Sequence, residues 1–324
     1  MAGNIWVLAE ASRGQFSEIT FELLALGREV AGQAGAPLEA VLLGSNAREL
    51  AQKLGAADTV LYADNAALAD PVPESAAAAL AQLIKEKQPA AVLVPLTNIS
   101  VDVGVVLAAQ LGVPFLNYCK DLKAEGGNFT ATCVLYGGKM EAAVSVSAKP
   151  AIIGVLPSAR QADAGRSDKA ATVTDVAVTL PEQKLKFKKY LEPAAGDVDI
   201  TKQNILISVG RGIQTKDNIE LAQELADVMG GAVSGSRPVI DQGWLPLTRQ
   251  VGKSGMNVKP KLYLALGISG APEHQEGMRG AQLIVAVNTD AKAPIFNIAH
   301  YGAAIDLLEF APAMKEAVAK RKGA

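Results

Sequence analysis

The first half of the chain alternates short apolar runs with longer stretches in which apolar and polar residues mix at helical spacing. Runs of this length indicate buried strands, which we predict at residues 5–8, 39–43, 59–62 and 91–95. The stretches between the runs predict helices at residues 18–34, 47–54, 74–87 and 100–111. Strands that alternate with helices indicate a parallel sheet with helical crossover connections.

The spacing changes in the middle of the chain, where apolar runs follow one another too closely for helices to fit between them. These runs predict strands at residues 129–136, 139–146 and 151–155. Gly137-Gly138 separates the first two and is typical of a two-residue hairpin turn. We therefore expect an antiparallel extension of the first sheet, followed by one more strand at residues 173–180.

The alternation of strands and helices restarts in the second half of the chain. It predicts a helix at residues 216–229 and strands at residues 204–209, 262–266 and 283–287. Before this restart, residues 192–197 form a short segment rich in Pro, Gly and Ala, which is typical of a domain boundary. The sequence thus predicts an α/β protein with two domains, residues 1–195 and 196–324, each with a parallel sheet flanked by helices.

Composition is compatible with packed α/β domains and argues against nucleic-acid binding. The 324 residues are 49% apolar but only 5% aromatic, a mix that suits close packing of helices on sheets. Lys and Arg number 31 against 33 Asp and Glu, so the strong basic excess of a nucleic-acid binder is missing. Basic residues cluster at Lys184, Lys186, Lys188 and Lys189, which we interpret as a solvated face.

Cysteine and histidine usage and the lengths of the apolar runs bear on metal sites and location. Cys119, Cys133 and the two histidines have no metal-ligand spacing, so we expect no metal site. Two cysteines in a long chain fit a reducing compartment. The chain opens without a basic leader, and no apolar run reaches the about 18 residues of a membrane span. We therefore expect a cytoplasmic protein without stable membrane insertion.

Small and polar residues follow the apolar runs of the second half, in the turns Gly210-Arg211-Gly212, Ser234-Gly235-Ser236-Arg237, Gly267-Ile268-Ser269-Gly270 and Asn288-Thr289-Asp290. Carboxyl ends of parallel strands meet at one edge of a sheet, where α/β proteins bind ligands. Glycines expose backbone N–H groups there, and Arg211 and Arg237 add positive charge. Pro272 suits a first helical turn, so residues 269–274 predict a strand, a turn and a helix start that favours anions. The set predicts a site for an anionic, nucleotide-containing ligand.

Several well-known ligand and catalytic motifs are missing from these turns. The sequence has no GxGxxG fingerprint, no P-loop and no GxSxG elbow. Ser269, His274 and Asp306 leave a hydrolytic triad open as an alternative, although no elbow presents the serine. Taken alone, His274 would be interpreted as an exposed residue at the start of a helix.

An ordered series of motifs runs from about residue 205 to the end of the chain. It comprises the Gly-Arg-Gly turn at 210–212, Gly-Ser-Arg-Pro at 235–238, Gln-Val-Gly-Lys-Ser-Gly at 250–255, Gly-Ile-Ser-Gly-Ala at 267–271, His274, Val-Asn-Thr-Asp at 287–290 and Ala-Pro-Ile-Phe at 293–296. In this order the motifs resemble the electron transfer flavoprotein alpha family. The first half resembles the N-terminal domain of that family more loosely, through its opening strand and Tyr136-Gly137-Gly138.

The resemblance implies that the C-terminal domain is a doubly wound fold that binds FAD. The residues at the family's cofactor positions are Arg211, Ser236, Arg237, Val251, Gly252, Lys253, Ser254, Ser269, Gly270, Ala271, Pro272, Glu273, His274, Asn288, Asp306 and Leu307. None of them is implied to be catalytic.

The resemblance also assigns roles within the FAD site. It implies that the Arg237 guanidinium lies over the isoalloxazine ring, that Ser254 lies near flavin N5 and that His274 lies on the N1/O2 side. Asn288 and Asp306 would hold the adenosine half. A cation and a hydrogen-bond donor at these places favour negative charge on the reduced flavin and raise its reduction potential. The family commonly has Thr where this chain has Ser254.

The function implied by the resemblance is that of an electron carrier subunit. Its FAD would pass electrons between partner dehydrogenases, such as acyl-CoA dehydrogenases, and downstream acceptors. A smaller beta subunit would contact the first domain to form a heterodimer. Operation within an electron-bifurcating, NADH-linked complex is one alternative. A nicotinamide- or flavin-dependent dehydrogenase with its own small substrate and a nucleotide-binding regulatory protein are the others.

Overall fold

The computed structural model describes residues 3–190 and 197–323 of the chain. Two compact units are present, Met1–Lys189 and Tyr190–Ala324. The domain boundary expected between residues 195 and 196 lies outside the described residues. Within the described ranges, no helix is both long and apolar enough to cross a membrane.

The first unit is built around one large sheet with helices on its two faces. Its elements are β1 (Ile5–Ala9), β2 (Ala11–Ser12), β3 (Gln15–Phe16), α1 (Glu18–Ala34), β4 (Leu38–Gly44), α2 (Arg48–Ala51), β5 (Thr59–Asp64), α3 (Pro73–Lys87), β6 (Ala91–Pro95), α4 (Val101–Leu111), β7 (Phe115–Glu125), β8 (Asn128–Leu135), β9 (Met140–Val146), β10 (Ala151–Val155) and β11 (Val173–Asp175). The strand order is β11-β5-β4-β1-β6-β10-β7-β8-β9, with β2 and β3 as a separate hairpin.

Side-chain alternation along β1 shows how this sheet separates two cores. Ile5, Val7 and Ala9 point to the face covered by α1, whereas Trp6 and Leu8 belong to the cluster that includes residues of α3 and α4. Successive side chains of a strand point to opposite faces. A strand that is buried on both faces therefore has a continuous run of apolar residues. Such runs allowed β1, β4, β5 and β6 to be predicted from the sequence.

The antiparallel extension expected in the middle of the chain is confirmed for β8 and β9 but is wrong for β10. Strand β10 pairs in parallel with both β6 and β7, inside the sheet. All its residues are buried, so its apolar character reflects a central position. Strand β7 was not predicted from the sequence, because most of its residues are half-buried and several are polar. It pairs in parallel with β10 and antiparallel with β8.

Two further details of the first unit differ from expectation. The hairpin between β8 and β9 closes at the pair Leu135 and Met140, so its connection is longer than the Gly137-Gly138 turn. Of the strand expected at residues 173–180, only β11 joins the sheet, in parallel with β5. The residues after β11 are not in a strand, but their apolar side chains pack on the core. This packing, rather than pairing with a neighbouring strand, explains the strand-like pattern of the sequence.

The second unit has one wholly parallel sheet. Its elements are β12 (Ile205–Val209), α5 (Ile219–Met229), β13 (Ala232–Gly235), α6 (Arg237–Asp241), β14 (Leu262–Leu266), α7 (Pro272–Met278), β15 (Leu283–Val287), β16 (Tyr301–Ala303) and α8 (Leu307–Lys322). The strand order is β13-β12-β14-β15-β16. This order, in which the chain winds first to one side of β12 and then to the other, is that of a doubly wound fold. Strand β16 and helix α8 were not expected from the sequence.

Candidate functional site

The topology of the second unit creates a crevice at one edge of its sheet. The chain reverses its winding direction between β12 and β14, and ligand crevices of doubly wound folds lie at such a switch point. A cavity of about 820 Å³ lies there, within the size range of small-molecule and cofactor sites. Its walls come from the segments that follow β12, β13, β14 and β15 and from the start of α7.

Most of the residues that the sequence singled out line this cavity. They are Arg211, Ser236, Arg237, Val251, Gly252, Lys253, Ser254, Ser269, Ala271, Glu273, His274 and Asn288. The parallel sheet brings them together, because it aligns the carboxyl ends of strands that are distant in the sequence. The turn and helix start expected at residues 269–274 are also present, because α7 begins at Pro272. The strand before them, β14, already ends at Leu266.

Four of the singled-out residues have structural positions outside the cavity walls. Gly270 has a φ of 84°, and a Cβ atom there would lie 2.3 Å from the backbone nitrogen of Ile295. Pro272 opens α7. The Asp306 side chain caps α8 by accepting a hydrogen bond of 2.9 Å from the Leu308 N–H. Leu307 is buried in the core on the side of α8.

Six lining residues were not singled out as site residues from the sequence: Gly212, Pro238, Asp241, Gln250, Gly267 and Ile268. All except Asp241 lie within the motifs that carry the family resemblance. The signal for these five was therefore present. Asp241 ends the short helix α6, and its place at the cavity follows from the fold of that helix.

Glycines allow the loops around the cavity to touch. Gly267 has a φ of 63°, and a Cβ atom there would lie 2.8 Å from the Gly212 Cα and 2.7 Å from Leu307 Cδ2. On the other side, Gly277 packs against Gly252, whose nitrogen would lie 2.4 Å from an added Cβ. The first contact fixes the distance between the loop after β12 and the loop after β14. The second contact fixes the distance between α7 and the segment that precedes β14.

Cations outnumber carboxylates on the cavity walls. Arg211, Arg237 and Lys253 face Asp241 and Glu273. Arg237 is 3.4 Å from Asp241, and about two thirds of each side chain is exposed, so the pair leaves the arginine largely available. With the serine hydroxyls, this donor-rich lining fits a large ligand that carries phosphate groups.

Ser254 is held by a buried glutamine. Gln250 Nε2 donates a hydrogen bond of 2.9 Å to Ser254 Oγ, and Gln250 is only 4% exposed. A backbone bridge to Gly235 and a hydrogen bond from the Met256 N–H fix the position of Gln250. Because the serine oxygen accepts from Gln250, its own hydrogen remains able to donate to a ligand.

His274 is the buried titratable side chain of the cavity. It is 6% exposed, so the interpretation of this residue as an exposed helix-start residue is wrong. Its Nε2 lies 2.9 Å from the Tyr263 hydroxyl group, and Nδ1 makes no hydrogen bond among the described residues. Burial lowers the pKa of His274 to about 4, and the backbone of Val251 opposes this shift in part. The ring is therefore neutral near pH 7.

The hydrolytic triad that the sequence left open is not assembled. His274 is hydrogen-bonded to Tyr263, and Asp306 caps α8. Among the described residues, neither side chain is hydrogen-bonded to Ser269. Without a base that contacts the serine, the arrangement lacks the geometry of nucleophilic catalysis.

Comparison with known proteins gives matches over both units. The model of the electron transfer flavoprotein domain matches residues 5–181, and the model of the electron transfer flavoprotein FAD-binding domain matches residues 199–279. The electron transfer flavoprotein subunit alpha of Clostridium acetobutylicum is 33% identical, with 99% of this chain and 97% of that protein covered.

Two relatives carry other names. The protein FixB of Clostridium saccharobutylicum is 34% identical, with 95% of this chain and 94% of that protein covered. The acryloyl-CoA reductase electron transfer subunit beta of Anaerotignum propionicum is 35% identical, with 99% of this chain and 97% of that protein covered. These full-length matches and the two domain models show that the chain belongs to the electron transfer flavoprotein alpha family, whose cofactor is FAD.

Proposed function

We propose that the chain is the FAD-carrying subunit of an electron carrier that works between partner dehydrogenases and downstream acceptors. The observation that carries this proposal is the donor-rich cavity at the switch point of β12 and β14. FAD supplies there a ring system that takes up and releases electrons. The residues of the chain bind this cofactor and set how readily it is reduced.

The side chains that line the cavity are suited to different parts of the cofactor. Arg211 is suited to the phosphate groups, because cations and anionic oxygens attract each other strongly in a partly dry site. Lys253 is next to Ser254, and the family resemblance implies a place for both at the N5 edge of the flavin. Ser254 can donate a hydrogen bond to a ring atom that gains a proton. Arg237 and His274 supply a positive charge and a neutral hydrogen-bonding ring, both of which favour negative charge on a reduced cofactor.

The names of the relatives support a proposal for the partners. One relative is an electron transfer subunit of acryloyl-CoA reductase, and others are alpha subunits of electron transfer flavoproteins. We infer that this chain pairs with a smaller beta subunit through its first unit and exchanges electrons with a dehydrogenase of the acyl-CoA type. The free thiols of Cys119 and Cys133 suit the reducing cytoplasm, where we place this activity.

The test is reconstitution with the beta subunit and an acyl-CoA dehydrogenase. We expect a yellow one-to-one complex whose absorbance bleaches when the dehydrogenase and its acyl-CoA are added together. Acyl-CoA without the dehydrogenase should leave the absorbance unchanged. Bleaching by a small substrate other than NADH, in the absence of the dehydrogenase, would contradict the proposal and favour a dehydrogenase. Reduction by NADH in the complex would place the chain in the electron-bifurcating branch.

A further inference from the structure

A buried tyrosine connects the core of the second unit to the cavity wall. Tyr263 lies on β14 and is completely buried, and it does not line the cavity. Its hydroxyl group donates a hydrogen bond of 2.7 Å to Ser208 Oγ on β12 and lies 2.9 Å from His274 Nε2. Ser208, Tyr263 and His274 thus form a hydrogen-bonded chain from the core to the cavity.

The ring of His274 depends on this chain for its orientation. Its Nε2 contacts Tyr263, and Nδ1 has no hydrogen bond among the described residues. Within the part of the chain that the structure describes, the Tyr263 hydroxyl group is the one side-chain hydrogen-bond partner of the imidazole, beside the Val251 backbone that also acts on the ring. Without this hydroxyl group, no side-chain hydrogen bond would oppose a rotation of the ring by about 180°.

We propose that Tyr263 is a positioning residue for the cofactor: its hydroxyl group holds Nε2 of His274 and thereby fixes the imidazole in the cavity wall. Tyr263 acts on the bound cofactor only through that ring. This inference rests on the proposed function, because it takes FAD to be the ligand of the cavity.

A hydroxyl group suits this task because it both donates and accepts hydrogen bonds. As Tyr263 donates to Ser208, the neutral histidine carries its hydrogen on Nε2 and donates to the tyrosine oxygen. If a ligand requires a hydrogen on Nδ1, the Tyr263 hydroxyl can turn and donate to Nε2. A carboxylate at this place would instead favour a positively charged ring. Tyr263 therefore holds His274 without imposing a charge on it.

The variant that tests the proposal is Tyr263→Phe, which keeps the aromatic ring in the core and removes only the hydroxyl group. With the beta subunit present, we expect FAD to bind about tenfold more weakly, since a buried ring loses its hydrogen-bond partner. We also expect a changed reduction potential. The matched control is Tyr62→Phe in the first unit, where a buried tyrosine hydroxyl accepts from the Ala47 N–H. This control should leave both properties unchanged.

A double-mutant cycle separates positioning from a general effect on the core. In a His274→Ala background, Tyr263→Phe should no longer change the FAD affinity or the potential. An equal change in both backgrounds would overturn the proposal, as would the absence of any change in the otherwise unaltered chain. If the unaltered complex binds no FAD at all, the proposed function fails first, so the two failures are distinguishable.

Nuclear magnetic resonance of ring-labelled histidine gives a readout that needs no variant to fold. The chain has two histidines, and Nδ1 of His300 accepts a hydrogen bond of 3.0 Å from the Ile284 N–H. His300 therefore provides an internal reference for a ring with its hydrogen on Nε2. Before FAD is added, His274 should show the same single tautomer. A freely rotating ring in the unaltered chain would overturn the proposal.

Discussion

At the residue scale, the cavity combines exposed cations with buried side chains that hold hydrogen bonds in fixed directions. The two kinds of residue should respond differently to substitution. Exposed charges are screened by water, so each contributes little. Buried groups lose a partner that water cannot replace, so their loss costs more.

Arg237→Ala should lower the reduction potential of the bound FAD. Because about two thirds of the arginine side chain is exposed, we expect an effect of no more than about 1 kcal/mol, or tens of millivolts. Arg237→Lys should restore part of the potential, since an ammonium keeps the charge but lacks the planar fork. A matched control is Arg28→Ala, which removes an exposed ion pair with Asp58 in the first unit. Spectroelectrochemical titration measures all three, and an unchanged potential in Arg237→Ala would place the arginine away from the flavin ring.

Ser254→Ala should affect the cofactor more than Ser254→Thr. The alanine variant removes a donor to the cavity and leaves the buried Gln250 amide without its acceptor, at a cost of about 1–3 kcal/mol. The threonine variant keeps the hydroxyl group. FAD dissociation constants and reduction potentials of both variants test this expectation. Equal losses in the two variants would show that the size of the side chain, rather than its hydroxyl group, matters.

His274 should make the stability of the second unit depend on pH. Its pKa is about 4 in the folded chain and 6.5 in the reference state, so the unfolded chain binds more protons between these values. The contribution of the neutral ring is thus fully present above pH 6.5 and is lost as the pH falls toward 4, by something on the order of 3 kcal/mol.

The measurement is the free energy of unfolding between pH 7 and pH 5, compared with that of His274→Gln. The variant should lose less stability over this range. Hydrogen bonds from Arg28, Arg249 and Thr201 lower the pKa of the Asp58, Asp197 and Asp199 carboxyl groups from the ordinary value, although burial opposes this shift, so their titration moves further away from this window. Identical pH profiles for the two proteins would show that His274 is not buried in a neutral state.

At the scale of elements, the Asp306 side chain at the start of α8 stabilises the helix with one carboxylate oxygen, and the other oxygen remains able to bind a ligand. Asp306 Oδ1 accepts from the Leu308 N–H and satisfies one of the free N–H groups at the helix start. Its Oδ2 makes no hydrogen bond among the described residues. The contact with FAD that the family resemblance implies for Asp306 stays a prediction.

Asp306→Ala should lower the free energy of unfolding of the second unit by about 1 kcal/mol, because the helix loses its N-cap. Asp306→Asn should retain most of the stability, since asparagine caps equally well. Thermal or denaturant unfolding measures this difference. A loss of stability in Asp306→Asn as large as in Asp306→Ala would contradict the capping role. A weaker FAD affinity in the stable asparagine variant would support the implied contact.

At the scale of the whole molecule, every residue of the cavity belongs to the second compact unit. A ligand stabilises the structure that binds it by mass action. Hydrogen exchange with and without FAD should therefore show new protection in β12, β14 and α7 and little change in β1 and β4. Peptides from the first unit would serve as the internal control. Protection that is as strong in β1 as in β14 would place the FAD site elsewhere.

The sequence by itself determined the elements whose signal is local. Buried strands such as β1 and β12 are continuous apolar runs, and the glycines and serines after β14 mark the binding edge of a parallel sheet. These features follow from the chemistry of neighbouring residues, so the two-unit α/β class and most of the cavity lining could be predicted. The family resemblance added roles for those residues, which spacing alone could not assign.

Only the tertiary structure decided which distant residues meet. Strand β10 is buried on both faces because it lies between β6 and β7. Its apolar sequence indicates that it is buried, but nothing in that sequence selects those two neighbours. The hydrogen bonds from Gln250 to Ser254 and between Tyr263 and His274 likewise depend on loops brought together by the sheet. Apolar periodicity reports that a side chain is buried, but the partner of a buried polar atom is set by the packing of elements far apart in the chain.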